Sequence, residues 1–516
     1  MKLFLTLSLF ASASASTPWP LPANFSSGSA PLSVSSALTF SLPDDAAPSP
    51  FLADAFSRYS ESISNAQGCS AEAQSLLPPQ PSSTPQLSSC SVSVSSPSSD
   101  PSLTVSTDES YSLYLALDGS CSISAASEFG ALHALESLSQ LAGETCTVTN
   151  APVSISDSPR FAYRGLMIDS SRHFLPVRFL EHIVDTMVAS KFNVLHWHIS
   201  DTESFPSSSA LFPELAEKGA WSPEAVYSVP DLKHVVDYAY KRGVRVMPEW
   251  DVPGHGSWGK GKPEVSIQDG SCTNTLDPTN PDVYDFLHDF LSEMSSVFPD
   301  ANLFLGGDEV DTSCFTSSPS VSKWMTENNI ADGVALQSYF WQQVTSTVMP
   351  GLNKTLGVWM ADDGIPYPED LPAGSFGNVW QSQSSMPAVI DRGADVVLSG
   401  PWYLDQQQPG GFQTYALQAL WQGMYAVEPF SGLTPAQQAK VLGGEACMWG
   451  EGVNALDFDA LAVTKAAAVA ERLWVPQGEG TVDDAQERLE EHVCRLNMRG
   501  VAAEAVAQNF CLSDVL

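Results

Sequence analysis

Cationic side chains are scarce in this chain: 23 Lys and Arg stand against 59 Asp and Glu, a formal net charge of −36 over 516 residues. A molecule this acidic repels phosphate backbones and anionic bilayers, which argues against a nucleic-acid role. Long apolar runs are missing as well. Beyond the N-terminus no stretch approaches the ~18 uninterrupted apolar residues of a membrane span. No two of the nine cysteines have C-x-x-C spacing, so structural zinc is not expected. A G-x-S-x-G nucleophile elbow is absent, and no G-x-G-x-x-G follows the first β-rich run. What remains is an ordinary globular composition, 43% hydrophobic and 10% aromatic, too rich to leave the chain mainly disordered.

The N-terminus reads as a secretory leader over residues 1–16: Lys2, an apolar stretch from Leu3 to Phe10, then small residues around Ala11–Ala15. In an oxidising route cysteines pair by default. Asn24-Phe-Ser and Asn353-Lys-Thr are glycosylation acceptors if exposed. A first domain, 17–150, opens on an extended segment rich in Pro, Ser and Ala. Its periodicity predicts a helix from Phe51 to Ala66, a strand within Ser110–Gly119 and a helix over Ala125–Leu141. It holds no cluster of histidines and carboxylates and reads as a small α/β packing domain.

From 151 to 516 the chain repeats one pattern, a short β-rich run and then a helical stretch. The runs are Arg164–Asp169, Asn193–Ser200, Val244–Asp251, Leu303–Asp308, Leu356–Met360, Phe376–Gln381, Val396–Ser399 and Gly443–Trp449. Eight such runs favour a closed (β/α)8 TIM barrel, with an open doubly wound sheet as the alternative. The fifth to seventh runs start too close together for full helices between them.

In a barrel the active site lies at the C-terminal strand ends. There the sequence places Asp169, Arg172 and His173; His196, His198 and Asp201; Glu249, Asp251 and His255; Asp308 and Glu309; Trp359; Trp380; Trp402, Tyr403 and Asp405; and Trp449 with Glu451. His196-x-His198 with His255 could hold a metal, but no later strand end adds a histidine, so no metal and no cofactor is expected. Cys447 lies within a run, which disfavours it as a nucleophile. Carboxyls with aromatic faces suit glycoside hydrolysis. The adjacent pair Asp308-Glu309, after Gly306-Gly307, suits the variant in which a sugar's own 2-acetamido oxygen attacks.

On these motifs the chain resembles glycoside hydrolase family 20, the eukaryotic lysosomal-type β-N-acetylhexosaminidases. The resemblance is carried by Arg164-Gly-Leu-Met-Ile-Asp-Ser-Ser-Arg-His173, Asn193-Val-Leu-His-Trp-His-Ile-Ser-Asp201, Asp251-Val-Pro-Gly-His255, Leu305-Gly-Gly-Asp-Glu-Val-Asp311, Gly400-Pro-Trp-Tyr-Leu-Asp405 and Gly443-Gly-Glu-Ala-Cys-Met-Trp-Gly-Glu451. It implies a barrel preceded by a small α/β domain and an exo-acting, retaining enzyme that needs no cofactor. Glu309 would be the acid/base and Asp308 the partner of the acetamido nitrogen. Tyr403 would bond the acetamido oxygen, and Trp359, Trp380 and Trp449 would wall the sugar subsite. Arg172, Asp405 and Glu451 would grip hydroxyls, with Asp201, His255 and His198 tuning Glu309. Asp405-Gln406 resembles the subunit type without an arginine for sulfated sugars, so neutral substrates are implied. Met360-Ala361 departs from the family's polar-acidic pair after Trp359. The resemblance also pairs Cys272 with Cys314 and Cys494 with Cys511. Cys69–Cys90 and Cys121–Cys146 are the remaining expected bridges, leaving Cys447 free. A homodimer, a carbohydrate substrate and a lysosomal, vacuolar or secreted destination complete the expectations. A catalytically silent carbohydrate-binding relative is the alternative from another class.

Overall fold

The computed structural model describes residues 16–44, 46–47, 49–64, 85–98, 100–143, 146–270, 275–361, 368–405, 420–508 and 511. The leader expected at the N-terminus falls outside the described residues, except Ser16.

The first sheet closes on itself in the order β1 (Asn24–Ser41), β2 (Gln86–Val94), β4 (Cys121–Ala125), β3 (Tyr111–Leu115) and β5 (Thr147–Asp157). Closure is possible because β1 is long enough to pair with β5 and, around Ser33, with β2 as well. The segment expected to be merely extended is therefore a ladder strand. The sheet runs on to Asp157, so the boundary drawn at 150/151 falls inside β5. Helix α1 (Pro50–Ser64) and helix α2 (Glu128–Ala142) lie where the periodicity puts them. Every residue of α2 is buried, because it is sandwiched between this sheet and the barrel. Its start is capped by Ser127, whose hydroxyl accepts from the Gly130 amide.

The expected pairing of Cys69 with Cys90 and Cys121 with Cys146 is corrected. Cys90 and Cys121 are joined to each other, with Cα atoms 4.5 Å apart. The reason is register: β2 and β4 run parallel with Ser91 opposite Ser122, which brings the preceding cysteines side by side. Cys146 is disulfide-bonded, and Cys69 lies outside the described residues. Cys494–Cys511 forms as expected. Cys314 is bonded too, while its expected partner Cys272 is outside the described residues. Cys447 is free and buried.

The second unit is an eight-stranded parallel barrel: β6 (Tyr163–Asp169), β7 (Val194–Ser200), β8 (Arg245–Trp250), β9 (Asn302–Phe304), β10 (Thr355–Met360), β11 (Phe376–Val379), β12 (Asp395–Leu398) and β13 (Val441–Met448), which pairs back to β6. Strand alternation divides each run between two cores. On β7, Leu195, Trp197 and Ile199 face the surrounding helices, while Val194 belongs to the barrel's inner cluster with Met167, Met247 and Phe304. Both faces are buried, hence the unbroken apolar runs. Helices are short where the runs crowd: only Met386–Asp391 and a brief 3₁₀ turn separate β11 from β12.

The small domain clamps the N-terminal end of the barrel. Arg164 at the start of β6 makes a two-pronged ion pair with Glu109, at 2.8 and 2.9 Å, and both are buried. Burial alone would raise the Glu109 pKa, but Arg164 and His133 hold it far below the usual range. Trp474 donates to Asp157 at 3.0 Å across the same junction. The opposite end of the barrel is left free for chemistry.

Candidate active site

In-register pairing aligns Asp169, His198 and Glu249 on β6, β7 and β8 as one row at the C-terminal end. The Asp169 carboxylate accepts from the Ser171 and Arg172 amides at 2.9 and 3.0 Å and from Gly450 at 3.0 Å, binding the loops after β6 and β13 together. Above it Arg172 bridges Asp169 at 3.1 Å, Asp201 at 2.7 Å and Glu203 at 2.9 Å, with Glu451 at 4.0 Å. Its guanidinium lies 5.3 Å from the centre of the Trp449 ring. Burial works against its charge, yet these four carboxylates outweigh that and keep Arg172 firmly protonated.

Asp308 and Glu309 follow β9, which ends after three residues. Gly306 (φ 63°), Gly307 (φ 94°) and Glu309 (φ 49°) then take left-handed backbone. This turn lets two consecutive carboxyls face the same cleft, which a regular strand would forbid. A side chain at Gly306 would place its Cβ 2.2 Å from the Asp251 carboxyl carbon, so only glycine fits. Asp251 in turn accepts from the Gly307 amide at 2.8 Å and hydrogen bonds to Asp308. Burial, then the charges of Asp308 and Glu249, raise the Asp251 pKa well above the carboxylate range. The proton therefore rests on Asp251 and is donated to Asp308. Asp308 Oδ1 is buried, and among the described residues Asp251 is the side chain that hydrogen bonds to this carboxyl. Glu309 is exposed, and its carboxylate sits 3.5 Å from His255 Nε2.

Behind Glu309 runs a chain of contacts. His255 Nδ1 donates to Asp201 at 3.3 Å, and Asp201 accepts from His198 Nε2 at 2.9 Å. His198 Nδ1 donates to Glu249 at 2.6 Å. Asp201 chiefly pushes the His255 pKa up to about 9, against burial. His196 sits one layer deeper between Glu249 at 3.0 Å and Glu445 at 2.9 Å. Burial would lower its pKa, but the two carboxylates raise it to about 9. His196 and His198 thus share Glu249, and His198 and His255 share Asp201, so the three imidazoles are strung along carboxylates. Among the described residues, the ligand atoms close enough to share an ion are those of His255, Asp308 and Glu309, within 4.8 Å of one another. Glu309 lies 3.5 Å from His255 Nε2, while His255 Nδ1 faces Asp201 and Asp308 hydrogen bonds to Asp251.

The aromatic residues complete a wall. Trp359, Trp380, Tyr403 and Trp449 all pack on the inner barrel cluster. Trp359 and Trp449 have ring centres 5.7 Å apart, and Tyr403 is 6.4 Å from Trp449. Tyr403 and Asp405 are delivered by a segment that extends the pairing onto β13, with the Leu404 amide donating to Cys447 O at 2.8 Å. Asp405 is half-buried. Burial, with Glu451 adding to it, pushes its pKa up to about 6, and its Oδ1 has no partner among the described residues. Trp402 faces the helices as core. Every catalytic or sugar-contacting candidate read from the sequence is thus at this one end. Glu249, Asp251 and Glu445 carry contacts that the sequence reading did not assign. Their signal was positional: each is a charged residue at an inward-facing position of a strand or just past its end.

A parallel eight-stranded barrel whose C-terminal mouth joins two adjacent carboxyls, a histidine–carboxylate chain and a wall of indoles defines a glycoside hydrolase. The glycosyl hydrolase family 20 catalytic-domain model matches residues 161–477, and a beta-acetyl hexosaminidase-like model matches 18–141. The chain belongs to glycosyl hydrolase family 20. It is 40% identical to human beta-hexosaminidase subunit beta over 424 residues, covering 79% of this chain and 74% of that protein. It is 36% identical to Dictyostelium discoideum beta-hexosaminidase subunit A1 over 429 residues, covering 81% and 79%. Among solved structures, the chitobiase of Flavobacterium johnsoniae superposes with a TM-score of 0.77 at 27% identity, covering 94% of this chain and 73% of that one.

Proposed function

We infer that the protein is an exo-β-N-acetylhexosaminidase that releases terminal β-linked GlcNAc or GalNAc with retention of configuration. The observation that carries this reading is the left-handed turn that sets the Asp308 carboxyl, with Asp251 as its hydrogen-bonding side chain among the described residues, beside the exposed Glu309 on one cleft. A carboxylate has two acceptor oxygens, so one donor leaves capacity for a ligand. The N–H of a 2-acetamido group is such a donor.

Glu309, protonated, gives its proton to the glycosidic oxygen as the C1–O bond breaks. The acetamido carbonyl oxygen attacks C1 from the opposite face and forms a cyclic oxazolinium. Asp308 accepts from the acetamido N–H and offsets the positive charge, while Tyr403 donates to the carbonyl oxygen. Water then loses a proton to Glu309 and attacks C1, the ring opens, and two inversions restore the β configuration. Trp359, Trp380 and Trp449 enclose the sugar ring. Arg172, Asp405 and Glu451 bind its hydroxyls, and His198, Asp201 and His255 hold Glu309.

The barrel that follows β5 acts as the catalytic unit in this reading, and the small domain that ends with β5 at Asp157 as its support. The leader pattern, the disulfides and the exposed Asn24 and Asn353 favour a glycosylated protein of the secretory route, lysosomal, vacuolar or secreted. Among the described residues no helix is long and apolar enough to cross a membrane. A homodimer through barrel-end surfaces is proposed from the family resemblance.

The test is release of the chromophore from an aryl β-GlcNAc glycoside, with the product anomer followed by NMR. Burst formation of β-GlcNAc is expected. Initial release of the α-anomer, or equal cleavage of the aryl β-glucoside, would refute the reading.

A further inference from the structure

Glu249 is fully buried on β8 and reaches neither Asp308 nor Glu309 by any hydrogen bond in the structure, yet each of its oxygens is committed. Oε1 accepts from the Trp359 indole at 2.8 Å. Oε2 accepts from His198 Nδ1 at 2.6 Å and lies 3.0 Å from His196 Nε2. The indole belongs to the wall of the sugar pocket. His198 begins the chain that ends, through Asp201 and His255, on Glu309. A buried carboxylate is expensive, and packing alone would be served as well by a neutral side chain.

We propose that Glu249 is a positioning residue that fastens the sugar-pocket wall and the proton relay to one carboxylate, setting the acid strength of Glu309 from four contacts away. This rests on the assignment of Glu309 as the acid/base. The geometry gives the reason. His198 has a carboxylate at each nitrogen, 2.6 Å from Glu249 and 2.9 Å from Asp201. An imidazole donates at both nitrogens only as the imidazolium. Glu249 thereby fixes a positive charge behind Asp201, and Asp201 receives a charged donor. The groups facing Glu249 are His196 and His198 from β7, Asp251 and Asp308 on the far side, and Glu445 beyond His196. Those facing Glu309 are His255 and Asp308, with Asp201 and Arg172 behind.

Glu249→Gln is nearly isosteric. Its amide oxygen can keep the Trp359 bond while its NH₂ donates to His198 Nδ1, which leaves His198 neutral and still donating to Asp201. The bonds to Trp359 and His198 survive, His196 Nε2 faces an NH₂ in place of a carboxylate oxygen, and the positive charge behind Asp201 is gone. The loss of His198 charge is nearer to Glu309 than the loss of Glu249 charge, so the net field there turns more negative and the proton is held more tightly.

The experiment is the pH–rate profile of kcat/KM for wild type, Glu249→Gln and Trp359→Phe, each with two aryl β-GlcNAc glycosides, one with an acidic and one with a weakly acidic leaving group. For Glu249→Gln the alkaline limb should move to higher pH by about half a unit or more. Its loss of rate should be about two- to threefold greater with the weakly acidic leaving group, where protonation matters most. Trp359→Phe removes the donor to Oε1 only, so it should raise KM without moving the limb or changing the leaving-group dependence. If Glu249→Gln does not accumulate as folded protein, His198→Gln breaks the same chain one contact nearer, and the same limb shift is expected. An unmoved limb with equal losses on both substrates would overturn the proposal and leave Glu249 a structural residue. A wild type that cleaves neither glycoside would overturn the activity itself, a distinct outcome.

Discussion

Asp308→Asn isolates the charge that the oxazolinium needs. The substitution keeps the shape, and the amide oxygen can still accept from the protonated Asp251. The fold should therefore be nearly undisturbed. What disappears is one negative charge beside a developing positive one, at a half-buried carboxyl. For unit charges ~4 Å apart at an effective dielectric of ~20, the interaction is about 4 kcal/mol. At ~1.4 kcal/mol per decade, kcat/KM should fall by about a thousandfold. Because the charge forms only on the way to the transition state, most of the loss should appear in kcat. The assay is initial-rate kinetics on aryl β-GlcNAc glycosides spanning leaving-group acidity. Asp308→Asn should be impaired equally across the series, since leaving-group protonation is untouched. Glu309→Gln should recover with acidic leaving groups, because these need little proton donation. A stable Asp308→Asn variant with a loss under tenfold, or one rescued by an acidic leaving group, would refute the assignment. So would trapping of a sugar covalently bound to Asp308.

Three further outcomes are expected. His196 has its pKa raised from 6.5 to about 9 by Glu445 and Glu249 against the pull of burial, so its stabilising contribution is complete below about 6.5 and is lost as pH rises through about 9. Thermal denaturation should show Tm falling between about pH 7 and 9, and less so in His196→Gln. Asp405, pushed by burial up to about 6, is mostly protonated at pH 4.5, so Asp405→Asn should alter KM little there and raise it more at pH 7. Gly306→Ala adds a Cβ 2.2 Å from the Asp251 carboxyl at a φ of +63°. Strain of ~1–3 kcal/mol and a displaced Asp308-Glu309 turn should lower both Tm and kcat, readable by calorimetry and initial rates.

Legibility differed by element. β6, β7, β8 and β13 were plain because both their faces are buried, which writes continuous apolar runs with the functional residue at the end. β9 was read as Leu303–Asp308 but ends at Phe304, because the glycines that announce the turn also end the pairing. β2 was passed over, since its buried Leu87, Cys90 and Val92 do not keep a period of two and serines fill the positions between. β5 was cut in two by a boundary placed on composition.

The sequence by itself determined which charged and aromatic residues stand at the C-terminal strand ends, because the period of two and the strand-end rule are local; the roles proposed for them came from the family resemblance. Arg172, Asp201, His255, Asp308, Glu309, Trp359, Tyr403 and Asp405 needed only their position relative to a strand. The tertiary structure alone decided everything that depends on register between distant strands. Cys90 met Cys121 because β2 and β4 run parallel. Glu249 could join His198 to Trp359 only once three strands closed into a ring. The proton came to rest on Asp251 because folding buried two carboxyls together, 57 residues apart in the chain, away from the water that would have separated their charges.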